Sequence, residues 1–178
     1  AKYDEWKNTD AIFVATVFLD CVASEFIQYS KNIPGMENAI RFTEKSRALG
    51  LGALGFHTYL QQNMIPFESF EAHMVNNEIF SYMKKEAVRA SKWMAVEWGE
   101  PEWCKGFGVR NTHLLAVAPN TSSALMCGGV SQGIEPLVAI SYNQPTAKGN
   151  IKRLNPVFLK FCESKNIVVT DDFIKDID

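Results

Sequence analysis

Apolar positions crowd the chain from Asn8 or Thr9, both good helix-capping types, through Tyr29. Ile12, Phe13, Val17, Leu19, Cys21, Val22, Phe26 and Ile27 leave little polar face, so the pattern predicts a buried helix, closed by Asn32-Ile33-Pro34-Gly35. A weaker helix is expected from Met36 to about Leu49. Next comes RALGLGALGFHTYLQQNMIPF, with glycines at 50, 52 and 55, which reads as a helix packed so closely on a neighbour that only glycine fits along one stripe. Ser69 then caps a long helix from Phe70 to about Trp98. Its core stripe is Phe70, Met74, Phe80, Met83, Ala87, Ala90 and Met94, its solvated side carries Glu71, Glu78, Lys84, Lys85 and Lys92, and Gly99 and Pro101 stop it.

Beyond a turn-rich connector, GEPEWCKGFGVRN, the run THLLAVA (Thr112 to Ala118) has the look of a short buried strand ended by Pro119, and PLVAISY (Pro136 to Tyr142) of a second. Asn155 with Pro156 behind it opens a helix to about Ser164, IVVT suggests a strand or extended segment, and Asp171 is placed as the cap of a last short helix. Helices dominate and a few buried strands interrupt them, which suits an α/β layer or barrel rather than a bundle. So few strands in so long a chain, an Ala1 that is not a methionine, and an Ile177-Asp178 end without a terminator lead us to expect one segment, residues 1–178, of a larger fold.

The chemistry-bearing stretch is VAPNTSSALMCGGVSQGIEP, Val117 to Pro136. If strand, turn and helix follow one another here, the first amides of the helix converge on one spot and the hydroxyls of Thr121, Ser122 and Ser123 add neutral donors. Such a turn is either a cap with no ligand or a cradle for a phosphate, at the strand end where α/β proteins collect ligands. Glu135 in GIEP is open to three readings: a base, a ligand for a hydroxyl, or a structural acceptor. The glycine spacing GLGALG approaches that of a dinucleotide loop, but no strand precedes it and no βαβ unit surrounds it. His57, His73 and His113 form no triad or metal constellation by spacing.

Composition narrows the classes. With 178 residues, 47% hydrophobic, 21% charged and a net charge of −2, this is a domain's worth of ordinary globular chain, with no cationic excess calling for nucleic acid or an anionic membrane. The longest apolar run, Ala11 to Leu19, stops at Asp20, short of the roughly 20 residues of a span. No basic stretch followed by an apolar one opens the sequence, so no secretory leader is expected. Cys21, Cys104, Cys127 and Cys162 lie far apart without CxxC or zinc spacing, so they are expected as free, mostly buried thiols of a cytosolic protein, and no metal site is expected.

Two stretches in this order, RALGLGALGFHTYLQQNMIPFES and RNTHLLAVAPNTSS…GGVSQGIEP, resemble the signatures of the large (alpha) subunit of ribonucleotide reductase. Their wording is nearest that of aerobic class I enzymes, T4-like bacteriophage ones in particular, and the likeness runs from Ala1 to about Glu163. The resemblance implies a helix-rich slice, central to C-terminal, of a ten-stranded α/β barrel that reduces ribonucleoside diphosphates to deoxyribonucleoside diphosphates by thiyl-radical chemistry. It puts substrate-diphosphate binding on Asn120, Thr121, Ser122 and Ser123, with Asn120 standing where relatives mostly carry Ser or Thr. The family's radical and reducing cysteines, and the Asn and Glu beside the radical cysteine, fall before Ala1. Its tyrosine relay and C-terminal cysteine pair fall after Asp178. All four cysteines here are therefore expected to be non-catalytic, and the segment to hold no catalytic residue and no cofactor of its own. The whole enzyme would require the remainder of the alpha subunit, a radical-generating, metal-containing small (beta) subunit and a thioredoxin- or glutaredoxin-type reductant. A non-catalytic assembly piece of a split reductase, or part of a cobalamin-dependent class II enzyme, are the alternatives.

Overall fold

The computed structural model describes residues 3–146 and 149–177. They form helices α1 (Tyr3–Trp6), α2 (Ala11–Ser30), α3 (Glu37–Ser46), α4 (Phe56–Gln62), α5 (Phe70–Trp98), α6 (Thr121–Met126), α7 (Pro156–Ser164) and α8 (Asp171–Ile177), a 3-10 turn at Glu102–Cys104, and strands β1 (Ser141–Thr146) and β2 (Gly149–Leu154). The chain divides into two compact units: Ala1–Gly52 with Met74–Val117, and Ala53–His73 with Ala118–Asp178.

In the first unit α2 starts behind Thr9, whose hydroxyl accepts the Ala11 N–H. Its inner face is Ile12, Thr16, Asp20, Ile27 and Ser30. The helix is not buried all round as the pattern predicts: Val14, Phe18, Val22 and Tyr29 stay exposed. The described residues cover one side of it only, so its outer apolar face is left in solvent. In length and mean hydropathy (20 residues, 1.6) α2 matches a membrane span. Its middle, however, is Asp20, fully buried and charge-paired. The Asp20 carboxylate accepts from Arg110 Nε at 3.0 Å, Asn111 Nδ2 at 2.9 Å and Arg47 Nη1 at 3.4 Å. Arg110 also donates from Nη1 to the carbonyls of Trp98 and Gly99, capping the end of α5, and Asn111 Nδ2 reaches the Arg47 carbonyl. One carboxylate thus ties α2 to the residues leading into and out of its neighbours.

The stripe of α5 buries Met83, Ala87, Ala90 and Met94 as its spacing predicts, with Ala72 and Ile79 ahead of them. Phe70 and Met74, expected in the core, point outward instead (78% and 53% exposed). Gly99, at φ 85°, ends the helix in the left-handed conformation that glycine adopts without strain.

The glycine-rich segment is where the predicted conformation fails. Residues 47–55 form no helix: Arg47 and Gly55 at its ends are left-handed, and the helix begins only at Phe56. Leu51 makes a parallel bridge to Leu115: its N–H donates to the Leu114 carbonyl and its carbonyl accepts the Ala116 N–H. The reason for the glycines survives the change of conformation. A Cβ on Gly50 would lie 3.1 Å from the Ala116 Cβ, and one on Gly52 would lie 2.6 Å from the Ala116 carbonyl oxygen. Thr112 to Ala118 forms no strand beyond this one bridge, although the Leu49 N–H also reaches the His113 carbonyl and the Thr112 N–H the Ser46 carbonyl, and Ala116, Val117 and Ala118 are exposed rather than buried.

In the second unit β1 and β2 form an antiparallel hairpin, Ser141 opposite Leu154 and Thr146 opposite Gly149. The strand foreseen at Pro136 to Tyr142 therefore starts only at Ser141. Asn155 caps α7 as expected: its Oδ1 accepts the N–H groups of Val157 and Phe158, while Nδ2 donates to Gln61 Oε1. Residues 167–170 form no strand, and the cap of α8 is Thr170, whose hydroxyl accepts the Phe173 N–H, with Asp171 inside the first turn.

Candidate functional site: the Asn120–Ser123 turn

After Pro119 the chain turns through Asn120 into the six-residue helix α6. The first intrahelical bond is the Ala124 N–H to the Asn120 carbonyl, at 2.8 Å. The amides of Thr121, Ser122 and Ser123 come before it, so the helix leaves them without an acceptor of its own. Ser122 and Ser123 are exposed. Asn120 does not cap with its side chain; its Nδ2 turns back to the Ala118 carbonyl at 3.1 Å. No lysine or arginine lies between Val117 and Pro136. What the turn offers an anion is therefore N–H and O–H groups together with the positive end of a short helix.

The turn is held from behind by Gln132. The Asn120 N–H donates to the Gln132 carbonyl at 3.0 Å, and the Thr121 hydroxyl donates to Gln132 Oε1 at 3.0 Å. Residues on either side of Gln132 are bolted to the start of α4. Gly55 N–H donates to the Ser131 carbonyl, Phe56 N–H to the Gly133 carbonyl, and the buried Thr58 and Ser131 exchange bonds, each hydroxyl accepting the other's N–H. Gly128 and Gly129, at φ 95° and 76°, let the chain leave α6 and come back to this position. A cavity of about 210 Å³ adjoins the turn, lined by Thr121, Ala124, Leu125, Val130, Gln132, Tyr142 and Asn143. Neither Gln132 nor the Thr58–Ser131 exchange stands out in the sequence, because single Gln, Ser and Thr residues carry no spacing signal.

The remaining candidates scatter. Glu135 Oε2 lies over Gly133, where a Cβ would be 2.5 Å from it. His57 Nδ1 accepts the Leu137 N–H at 3.0 Å, and burial holds the imidazole below its ordinary pKa. His113 Nδ1 is 3.1 Å from the Thr112 hydroxyl, and the His73 ring lies 6.4 Å from that of Phe70. Of the cysteines, Cys104 and Cys162 are buried and Cys21 and Cys127 exposed, so the expectation of mostly buried thiols holds for two of the four. Burial pushes the Cys104 thiol up, away from thiolate reactivity. Among the described residues no group of three or more His, Cys, Asp or Glu is placed to hold a metal ion.

Helices joined by short non-helical segments, with one β-hairpin, define a helix-rich α/β protein. A family model described as "Ribonucleotide reductase, barrel domain" matches residues 1–107 and 101–173. A Frog virus 3 protein named as a ribonucleoside-diphosphate reductase large subunit is 40% identical, over 92% of this chain and 29% of its own length. The ribonucleoside-diphosphate reductase large subunit of Invertebrate iridescent virus 3 is 32% identical, over 92% of this chain and 26% of its own. The solved "Actinobacillus ureae class Id ribonucleotide reductase alpha subunit" superposes with a TM-score of 0.87 at 42% identity, covering 98% of this chain and 32% of that one. The chain belongs to the ribonucleotide reductase large-subunit family and is a helix-rich part of that family's α/β barrel. It spans about a third or less of the relatives it matches.

Proposed function

We propose that this chain is part of a class I ribonucleoside-diphosphate reductase large subunit and that its task there is to hold the substrate's diphosphate on Asn120, Thr121, Ser122 and Ser123. The observation that carries this reading is the run of three amides, Thr121 to Ser123, ahead of the first helical hydrogen bond. The Ser122 and Ser123 hydroxyls stand beside them, in a member of a family that works on nucleotides. Main-chain donation needs no particular side chain, so Asn120 in place of the family's usual Ser or Thr leaves the cradle able to bind. The ribose chemistry belongs to thiols elsewhere in the large subunit. Cys21, Cys104, Cys127 and Cys162 take no part in it, and this chain alone does not turn over. In the complete enzyme it works in the cytosol with the rest of the large subunit, a metal-containing small subunit that supplies the radical, and a thioredoxin- or glutaredoxin-type reductant.

The test is a ¹⁵N-resolved titration of the chain with inorganic pyrophosphate and with a ribonucleoside diphosphate. The amides of Thr121, Ser122 and Ser123 are expected to shift with both; shifts confined to remote residues would refute the cradle. A cobalamin-dependent enzyme is the second reading. It is favoured by the 30% identity, over 88% of this chain, of the "Vitamin B12-dependent ribonucleoside-diphosphate reductase" of Thermoplasma acidophilum. Reduction by the complete large subunit that depends on adenosylcobalamin, and not on a small subunit, would decide for it.

A further inference from the structure

Helix α2 has two faces of different character. Of its 20 residues only Asp20 and Glu25 are charged, and Asp20 points inward to Arg47, Arg110 and Asn111. The opposite face presents Val14, Phe18, Cys21, Val22, Glu25 and Tyr29. Val14, Phe18 and Tyr29 keep 60%, 65% and 72% of their surface exposed, where a solvent-facing helix would carry polar groups. Positions 14, 18, 21 and 25 alternate by four and three residues, the spacing of a seam against a second, near-parallel helix. At about 1.5 Å per residue, the face from Val14 to Tyr29 is about 22 Å long and takes a helix of about four turns.

The residues of this face discriminate between occupants. A helix lying in a bilayer surface carries Lys and Arg beside its apolar stripe; α2 has neither, and sets Glu25 within the stripe. A second copy fits no better. An antiparallel two-fold pair centred between Cys21 and Val22 puts each Glu25 against a Phe18 ring, and a parallel pair puts Glu25 against Glu25. Neither gives the carboxylate the counter-charge that burial demands. Glu25 has no ion pair among the described residues. The remaining occupant is a different stretch of polypeptide, and the family supplies one: this chain covers only 29%, 26% and 32% of the relatives described above.

We propose that the outer face of α2 is a docking surface for a helix from the remainder of the large subunit, an apolar helix of about four turns with a Lys or Arg opposite Glu25. The inference rests on the reading that the chain is part of such a subunit, and not on what the Asn120–Ser123 turn binds. It makes α2 a helix covered on both faces in the complete subunit. That accounts for its near-absence of charge.

Cys21, exposed in the middle of the seam, is a built-in reporter. The experiment measures its rate of modification by N-ethylmaleimide, read by peptide mass spectrometry, in the 178-residue chain and in the complete large subunit. Modification is expected to be at least about tenfold slower in the complete subunit, where it must wait for local opening, and the protection should survive dilution. Phe18→Gln should restore at least about half of the lost rate in the complete subunit. In the 178-residue chain, where Phe18 already faces water, it should change the rate by less than about threefold and leave the thermal transition in place. Equal rates for Cys21 in the two proteins, or an equal effect of Phe18→Gln in both, would overturn the proposal. Protection that disappears on dilution would overturn it in favour of a second copy, and protection of the 178-residue chain by phosphatidylcholine–phosphatidylserine vesicles in favour of a lipid surface. Ribonucleotide reduction by the same complete subunit tests the reductase reading separately, so the two can fail independently.

Discussion

Replacing Asp20 with alanine should strip the first unit of its central tie. The carboxylate has no exposed surface and accepts three side-chain donors, two of them from guanidinium groups whose side chains are only 11% and 14% exposed. Removing it leaves Arg110 and Arg47 facing each other in a largely dry space with no counter-charge. Losing one partner of a buried, hydrogen-bonded pair costs about 3–5 kcal/mol, most of it the penalty on the charge left behind. Asp20→Asn should be milder, about 1–3 kcal/mol. It keeps one acceptor for Arg110, and the Asn111 Oδ1, which has no hydrogen-bond partner, can swing toward the new amide at the expense of the bond to the Arg47 carbonyl. The assay is urea unfolding followed by tryptophan fluorescence. All four tryptophans, Trp6, Trp93, Trp98 and Trp103, belong to the first unit, so the signal reports that unit alone. With a slope of about 1–2 kcal/mol per molar urea, typical of a small domain, Asp20→Ala should lower the midpoint by about 2–4 M. The pair Asp20→Ala and Arg110→Leu should be less costly together than the sum of the single changes by at least about 1.5 kcal/mol, because the double variant no longer buries the Arg110 charge. A midpoint shift under about 0.5 M, or strict additivity, would refute the view that this carboxylate holds the unit together.

Gly52→Ala should destabilise the first unit by about 2 kcal/mol or more, since its Cβ meets a backbone carbonyl at 2.6 Å; fluorescence-detected unfolding at an unchanged midpoint would contradict this. Gly133→Ala should cost less, about 1 kcal/mol, because the nearest atom is the end of the flexible Glu135 side chain, and far-ultraviolet circular dichroism melting can compare the two. Asn155→Ala should cost about 1–2 kcal/mol through the lost α7 cap and the lost bond to Gln61, measured by the same melting curve. His57 is held below its ordinary pKa of 6.5 by burial, and its neutral Nδ1 accepts from Leu137. Its contribution is therefore complete above pH 6.5 and is lost as pH falls through the lower folded value, because the unfolded chain binds the proton first. Melting temperatures taken from pH 8 to 5 should decline below pH 6.5, and His57→Gln should flatten that decline.

Helix α5 shows how far local pattern reaches. Met83, Ala87, Ala90 and Met94 repeat at helical spacing, Ser69 and Gly99 bracket them, and the helix stands where they place it. The cap at Asn155-Pro156 was equally legible, for the same reason: the interactions involved span a few residues of one chain segment. The donor-rich turn could be picked out too, since proline, Ser/Thr and paired glycines mark a turn through their own backbone preferences. The motif wording named the family.

What distant residues decide was not legible. Residues 47–55 look helical by composition but form no helix, because Leu51 finds the backbone of Leu115 beside it and Gly52 fits under the Ala116 carbonyl. Asp20 looks like a break in an apolar run. Only the fold brings Arg47, Arg110 and Asn111 to it from as far as 91 positions away and turns the break into the centre of a unit. The same holds at the turn. The sequence by itself determined that Asn120, Thr121, Ser122 and Ser123 can present donors, because that follows from residue type and the start of a helix. Tertiary structure alone decided that Gln132, returning after α6, stands behind Thr121 and accepts its hydroxyl's hydrogen bond, because a hydrogen bond depends on distance in space, and chain spacing does not encode it.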